Sequence, residues 1–198
     1  MISRLRQRAD DGERGAVIVE FALVAMLLAT LAFVTIEYGY GWRSSMSVLT
    51  AARAGVRSVS SMGTDNQADY FALTSIRANL DSAGLLEGAQ RVVIHRADAT
   101  NGDPPAACTA TPLTTTTALC NVYTGDQLRL VAAGQFAATG CMTAATVKNY
   151  CPSTRQTAQG TADPIGVYVQ ARQKSLTGFF GGAGFLASRD AVMRMEPS

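Results

Sequence analysis

The sequence carries little charge, and its charges are not clustered. Only 16% of the 198 residues are charged, the formal net charge is +2, and lysine and arginine never form a block. A protein that follows nucleic-acid phosphates needs a basic stripe or patch, so we expect no nucleic-acid partner. A chain of this length and hydrophobic content suits one domain plus one membrane segment, and a large multidomain enzyme is excluded.

The sequence is also poor in residues and motifs that carry catalysis. His95 is the only histidine, and no G-x-S-x-G motif or His-Cys-Asp arrangement accompanies it. Glycines occur at Gly178, Gly181, Gly182 and Gly184, but the Lys-Ser/Thr of a phosphate loop does not follow them. We therefore expect no catalytic residue, no cofactor and no small-molecule substrate, with His95 a surface or hydrogen-bonded strand residue.

What the sequence does contain is one long hydrophobic run. Residues 16–36, AVIVEFALVAMLLATLAFVTI, hold a single charged residue, Glu20. A run of this length can cross the hydrocarbon core of a bilayer. Basic residues near a membrane segment tend to stay in the cytoplasm, and four precede this one: Arg4, Arg6, Arg8 and Arg14. We predict a single-pass protein that contacts membrane lipid, with a cytoplasmic N-terminus and an exported C-terminal part.

Three interpretations of this run compete: a cleaved secretory signal, a permanent anchor, and a helix retained after a short leader is removed. A secretory signal has a shorter apolar core followed by a small-residue site, whereas the best such site here lies inside the run. A plain anchor gives no reason for Glu20, since a carboxylate at membrane depth costs about 2.5–3.5 kcal/mol on insertion scales. The third interpretation accounts for both features.

The segment RGAVIVEFALV resembles the processing site of type IV pilin-like precursors, in which glycine precedes the cut and glutamate is the fifth residue after it. Gly15 and Glu20 match these positions. The resemblance implies that a prepilin peptidase cuts between Gly15 and Ala16 and removes residues 1–15. The Glu20 carboxylate would then neutralise the new ammonium group of Ala16, on its own or a neighbouring subunit.

The residues after the processing site, IEYGYGWRSSMSVLTAARAGVRSV, and the chain's last stretch resemble TadE-like minor pilins of the tight-adherence (Tad/Flp) system. The ending matches through Ala191, Met193, Arg194, Glu196 and Pro197. Phe21 departs from the major Flp-type pilins, which have tyrosine after the glutamate and are much shorter, so the resemblance favours a minor subunit.

The same resemblance implies a protein of the bacterial inner membrane that helps initiate, cap or assemble a pilus, with incorporation into a surface pilus as a further expectation. Its partners would be other pilin-like subunits, the prepilin peptidase and the inner-membrane assembly platform. The alternative is an unprocessed single-pass envelope protein that acts as a scaffold or accessory factor of a secretion system.

The remaining pattern predicts an α+β fold in which helices back a small antiparallel sheet. The first helix is expected over residues 16–61, with 16–36 in the membrane, and the exported domain over 62–198. A second helix is predicted over 67–85, with Asp65 as its cap and Gly84 at its end. Strands are predicted near 91–98, more weakly at 126–136, at 164–170, and at 186–195 after a glycine-bearing turn.

All four cysteines lie in a loop-rich stretch of the exported part, residues 97–162. They are Cys108, Cys120, Cys141 and Cys151, with eleven, twenty and nine residues between them. The absence of a close C-x-x-C pair argues against a zinc site, so no metal is expected. An even number in an exported domain predicts two disulfides that brace the loops. Three connectivities are open, and we favour the sequential one.

Overall fold

A computed structural model describes residues 2–98, 101–113, 116–176, 178 and 184–196, and for residues 2–14 it describes the backbone only. Most of the glycine-bearing turn predicted before the last strand, with Gly181 and Gly182, lies outside the described residues, as does Pro197.

The longest element is helix α1, Ile2–Met62. From Gly15 onward it consists mainly of apolar and small residues without proline, which is compatible with a continuous helix. It ends one residue beyond the predicted Ser61. Gly63 adopts a left-handed conformation with φ of +55°, and its N–H donates to the carbonyl of Val59 at 3.1 Å. A glycine in this conformation is a common helix stop.

Helix α2, Ala68–Ser82, follows after a short turn and packs against α1. The predicted cap is wrong in detail: Asp65 accepts a hydrogen bond from the Gln67 N–H at 2.7 Å, and Gln67, without a side-chain cap bond, is the N-cap residue. Asp65 therefore stabilises the turn that precedes the helix. Gly84 ends the helix with φ of +70°, as expected.

Five antiparallel strands form one sheet in the order β3-β2-β1-β4-β5. Their bounds are β1, Ala89–Arg96; β2, Cys120–Thr124; β3, Val147–Lys148; β4, Pro164–Gln173; and β5, Phe185–Arg194. Two short helices, α3 at Ala106–Thr109 and α4 at Gly125–Arg129, lie in the connections. The predicted α+β class, with a long helix and a small antiparallel sheet, is confirmed.

The weaker strand predicted at residues 126–136 is wrong. The chain there forms α4 and then a 3-10 turn, Ala133–Gln135. A capping box starts α4: the Thr124 hydroxyl accepts from the Gln127 N–H at 3.3 Å, and the Gln127 side chain accepts from the Thr124 N–H at 2.9 Å. This local hydrogen bonding stabilises a helix start. Strands β2 and β3 were not predicted, because β2 is short and follows a threonine-rich loop and β3 has only two residues.

The main core lies between the helices and one face of the sheet. Side chains alternate along β4, so that one set faces α1 and α2 while the other faces away, as the sequence pattern predicts. The set in the core consists of Ile165, Val167, Val169 and Ala171. The second half of α1 contributes Val48, Ala51, Ala52, Val56 and Val59. Burial of these residues therefore fixes the C-terminal half of α1 to the sheet.

The opposite face of the sheet is covered by the loop that precedes β2, with a small cluster around Val93, Val122 and Val147. His95 lies on this face in β1 and is fully buried, which rules out the surface position and leaves the expected alternative of a strand residue. Its Nδ1 lies 3.3 Å from the Arg96 carbonyl oxygen, and its Nε2 has no hydrogen-bond partner among the described residues. An ideal Cβ on Gly166 would lie 2.4 Å from the ring, so only glycine fits there.

Candidate functional site

The most unusual surface is residues 15–36 of α1, which we call the free segment and of which only the end, at Val34 and Thr35, lines a cavity shared with the β4–β5 hairpin. Its apolar side chains point outward on every side of the helix, and none of its most hydrophobic window is buried. The large exposed residues are Val17, Ile18, Val19, Phe21, Leu23, Val24, Met26, Leu27, Leu28, Leu31, Phe33 and Ile36. Such a surface needs a lipid or protein environment.

The free segment has the length and polarity of a membrane span. Its hydrophobic window has a mean hydropathy of 2.6, and its 22 residues at 1.5 Å each extend about 33 Å, close to the thickness of the bilayer core. Its two hydroxyl groups are satisfied within the helix, because Thr30 and Thr35 donate to carbonyls one turn earlier at 2.8 Å. The segment is a candidate membrane-spanning helix.

The predicted processing and assembly residues all lie at the start of the free segment. Gly15, Ala16, Glu20 and Phe21 are exposed, and an ideal Cβ on Gly15 would meet no atom within 4 Å. Ala16 and Glu20 are four residues apart and therefore share one helix face. Glu20 has no ion-pair or hydrogen-bond partner among the described residues. The fold of the exported part supplies nothing to this site, so any partner of Glu20 must come from elsewhere.

Aromatic residues follow the free segment directly, at Tyr38, Tyr40 and Trp42. They line a cavity of about 750 Å³ between α1 and the end of the β4–β5 hairpin, where Phe185 lies against Gly41. Tyrosine and tryptophan are enriched at the membrane–water boundary. This site was not predicted because it joins residues more than a hundred positions apart, although the aromatic cluster after the hydrophobic run was a usable signal.

Glu37 connects the helix to this hairpin. Its Oε1 accepts hydrogen bonds from the Ser175 hydroxyl and from the Leu176 N–H, the latter at 3.1 Å. Farther along, the Ser44 hydroxyl lies 3.3 Å from the Gln173 side-chain oxygen. The hairpin end is therefore held beside the first residues that follow the free segment.

The two expected disulfides are present and join Cys108 to Cys120 and Cys141 to Cys151, which is the sequential connectivity. The first holds the covering loop against the outer face of the sheet, where both cysteines are buried. The second closes a loop that carries Tyr150. Among the described residues, no group of three or more His, Cys, Asp or Glu side chains could hold a metal ion.

A buried polar cluster lies beside the second disulfide. The Asp69 carboxylate accepts from the Tyr123 hydroxyl at 2.6 Å, from the Asn121 amide at 2.8 Å and from the Arg155 guanidinium. Asn121 and Arg155 also donate to the Tyr150 carbonyl oxygen, at 2.8 and 3.1 Å. The cluster thus joins α2, β2 and the loop after β3, and no local sequence signal pointed to it.

The electrostatics of this cluster keep its tyrosines neutral. Burial, and then the Asp69 carboxylate, raise the pKa of Tyr123 well above its ordinary value. Burial and the Asp163 carboxylate likewise raise the pKa of Tyr150, whose hydroxyl donates to Asp163 at 3.1 Å. Both phenols therefore remain hydrogen-bond donors, which is a structural role and not that of a catalytic base.

Comparison with known proteins adds one finding. Residues 15–57 match the family model described as TadE-like protein, in agreement with the resemblance noted from the sequence. The match covers the free segment and most of the helix that packs on the sheet. No curated protein and no solved structure matches the chain. The match covers 43 of the 198 residues and links this segment to the Tad pilus system, whose TadE-like proteins are structural components of the cell envelope.

Proposed function

Starting from the TadE-like match, we propose that the chain is a minor pilin-like subunit of a Tad-type pilus, anchored in the bacterial inner membrane by its free segment. The observation that carries the proposal is the apolar surface of the free segment, whose most hydrophobic window is entirely unburied and precedes a folded domain. Lipid covers this surface before assembly, and the helices of neighbouring subunits cover it afterwards. The N-terminus faces the cytoplasm and the domain is exported.

Processing by a prepilin peptidase between Gly15 and Ala16 is the first step of the proposed mechanism, and it removes residues 1–15. No packing explains Gly15, since the space for a Cβ is open, while glycine costs about 0.8–1 kcal/mol relative to alanine inside a helix. A peptidase must unwind the helix to reach the bond. Glycine at the cut lowers the free energy of that unwinding.

Assembly is the second step. Cleavage creates an ammonium group at Ala16, one helical turn from the Glu20 carboxylate. In a low-dielectric environment a carboxylate and an ammonium group stabilise each other, and the pair forms between subunits where helices pack side by side. Phe21, with 73% of its side chain exposed, adds apolar contact to the neighbouring helix. Partners are therefore other pilin-like subunits and the inner-membrane assembly platform, with the subunit initiating or capping the pilus.

Mass spectrometry of the membrane-bound protein tests the processing step. Cells with the prepilin peptidase should yield a chain that starts at Ala16, and cells without it should retain the leader. The Gly15→Val variant should also retain the leader. Gly39→Val is the matched control, because Gly39 lies in the same helix with the same open space, and it should be processed normally.

Co-purification with partner pilins tests the assembly step separately. Glu20→Ala and Glu20→Gln both remove the charge and should leave cleavage intact while abolishing recovery of partner subunits. Glu37→Gln serves as the charge-matched control, since Glu37 bonds within its own chain. Recovery of partners with the Glu20 variants at the wild-type level would contradict the register role.

A second candidate function is a permanently anchored envelope protein that scaffolds secretion machinery. The continuity of α1 through Gly15 favours it, since a permanent anchor needs no break there. An intact leader in membranes that contain active peptidase would support this candidate and overturn the first.

A further inference from the structure

The end of the β4–β5 hairpin is placed at the depth where the free segment leaves the membrane. We use the name hairpin end for residues 174–176 and 184–186. The Ser175 hydroxyl and the Leu176 N–H both donate to the carboxylate of Glu37, which is the first residue after the free segment. The hairpin end therefore lies at the boundary of any bilayer that the free segment crosses.

The surface of the hairpin end is apolar. Leu176 is 58% exposed, Phe185 is 49% exposed and Leu186 is 40% exposed. Phe185 also shares the lining of the 750 Å³ cavity with the exposed rings of Tyr38 and Trp42. An exposed apolar and aromatic surface of this kind is unfavourable in water and is typical of an interface.

The charges around this surface match a phospholipid headgroup layer. No charged residue lies between Lys174 and Arg189 in the sequence. Those two basic residues line the cavity together with Glu37, whose carboxylate accepts hydrogen bonds from the hairpin end. Basic side chains around an apolar surface can place their aliphatic stems in the boundary region and their charges on anionic headgroups. A protein partner would not require basic residues at the level where the helix leaves the membrane.

We propose that the hairpin end is a second membrane contact, which inserts into the headgroup region of the leaflet where the free segment exits. The inference rests on the proposed membrane-spanning role of α1. Two contacts, one helix and one hairpin, fix the orientation of the exported domain relative to the membrane. The domain then presents a defined face to incoming subunits.

Tryptophan fluorescence with brominated lipids can test this, because Trp42 is the only tryptophan of the chain. The full chain is reconstituted in vesicles of phosphatidylcholine and phosphatidylglycerol, with and without bromine on the upper acyl chain. In the double variant Trp42→Phe/Leu176→Trp, the only tryptophan reports on the hairpin end. We expect a marked loss of its emission in brominated vesicles, and recovery of most of that emission when Phe185→Ser is added.

The matched control is Trp42→Phe/Ser61→Trp, which places the tryptophan at an exposed site about 36 Å along the helix from Glu37. Its emission should be the same in both kinds of vesicle. Emission from Leu176→Trp that is equally insensitive to bromine would overturn the proposal. A blue shift that grows with protein density, without quenching by lipid, would also overturn it and indicate a neighbouring copy as the occupant.

A tryptophan inside the free segment, in the variant Trp42→Phe/Leu28→Trp, separates this failure from that of the proposed function, because Leu28 is exposed and lies far from the hairpin end. If the tryptophan at position 28 is quenched and the one at position 176 is not, the helix crosses the membrane and only the hairpin contact is refuted. If neither is quenched, the membrane-spanning role of α1 is refuted as well.

Discussion

Asp69 and Arg155 are 86 residues apart in the sequence and form an ion pair in which both side chains are fully buried. A buried pair stabilises a fold mainly through its other hydrogen bonds, because each charge loses its hydration. Asp69 has those bonds, from Tyr123 and Asn121. Arg155 stacks on the Tyr150 ring, with its guanidinium carbon 5.0 Å from the ring centroid. The pair therefore holds a loop to the helical layer.

Removal of one charge of the Asp69–Arg155 pair should lower the stability of the domain. Asp69→Asn leaves the Arg155 charge buried and uncompensated, which we expect to lower the free energy of unfolding by about 3–5 kcal/mol. Chemical denaturation of the full chain in detergent measures the change. The same substitution at Asp98, whose ion pair with Arg96 is half exposed, should cost less than about 1 kcal/mol. Equal losses at both positions would refute the role of the cluster.

The two disulfides should differ in their coupling to this cluster. Replacing either pair by serines should cost about 2–4 kcal/mol. The loop closed by Cys141 and Cys151 carries Tyr150, so loss of that disulfide also loosens the buried polar cluster. Combined with Asp69→Asn, the Cys141/Cys151 replacement should cost less than the sum of the separate changes, whereas the Cys108/Cys120 replacement should add to it. Additivity in both cases would contradict the coupling.

Stability should fall in mild acid because of His95. Burial lowers its pKa below 6.5, and this outweighs the Arg96 carbonyl and the nearby carboxylates of Asp190, Asp103 and Asp98, which raise it. At pH values between the pKa of His95 in the folded chain and its higher pKa in the unfolded chain, the unfolded chain binds one proton more than the folded chain. Stability is therefore complete above about pH 6.5 and declines as the pH falls, by at most about 1.4 kcal/mol per pH unit.

The slope of unfolding free energy against pH, between pH 7 and 5, measures this effect. His95→Asn removes the titrating group and should flatten the slope, whatever it does to the absolute stability. The wild-type slope persisting in the variant would show that another group is responsible.

Glu37 should control the order of the hairpin. Glu37→Ala removes the acceptor for the Leu176 N–H, and the loss of a hydrogen bond to a charged group is worth about 1.5–3 kcal/mol. We expect exchange of the Leu176 amide hydrogen to accelerate by about tenfold to a hundredfold, because local opening becomes cheaper by that free energy. Glu37→Gln retains an acceptor oxygen, so the Leu176 amide hydrogen should exchange much more slowly in this variant than in the alanine variant.

The sequence was sufficient where one periodic pattern dominated. The apolar run of α1, the spacing of α2 and the alternation of Ile165, Val167 and Val169 predicted the main layers, because each pattern spans a whole element. The strand prediction at residues 126–136 was wrong because the capping box at Thr124 starts a helix where the sequence alternates between apolar and polar residues. The Asp69 cluster was not predictable, and at Trp42 only the aromatic residues of the helix could be recognised, since each site joins residues that only the tertiary fold brings together.

The contact between the C-terminal residues of the chain and the end of α1 has a consequence for synthesis and export. The Glu196 N–H donates to the Ser60 carbonyl oxygen at 3.1 Å, and Met195 is buried in the core that α1 helps to form. The part of the apolar face of α1 that packs on β4 and β5 therefore stays uncovered until those strands have been synthesised, which makes completion of the fold a late event. For a chain anchored as proposed, the domain crosses unfolded and then closes into a body too wide to slide back, so that folding itself makes translocation irreversible.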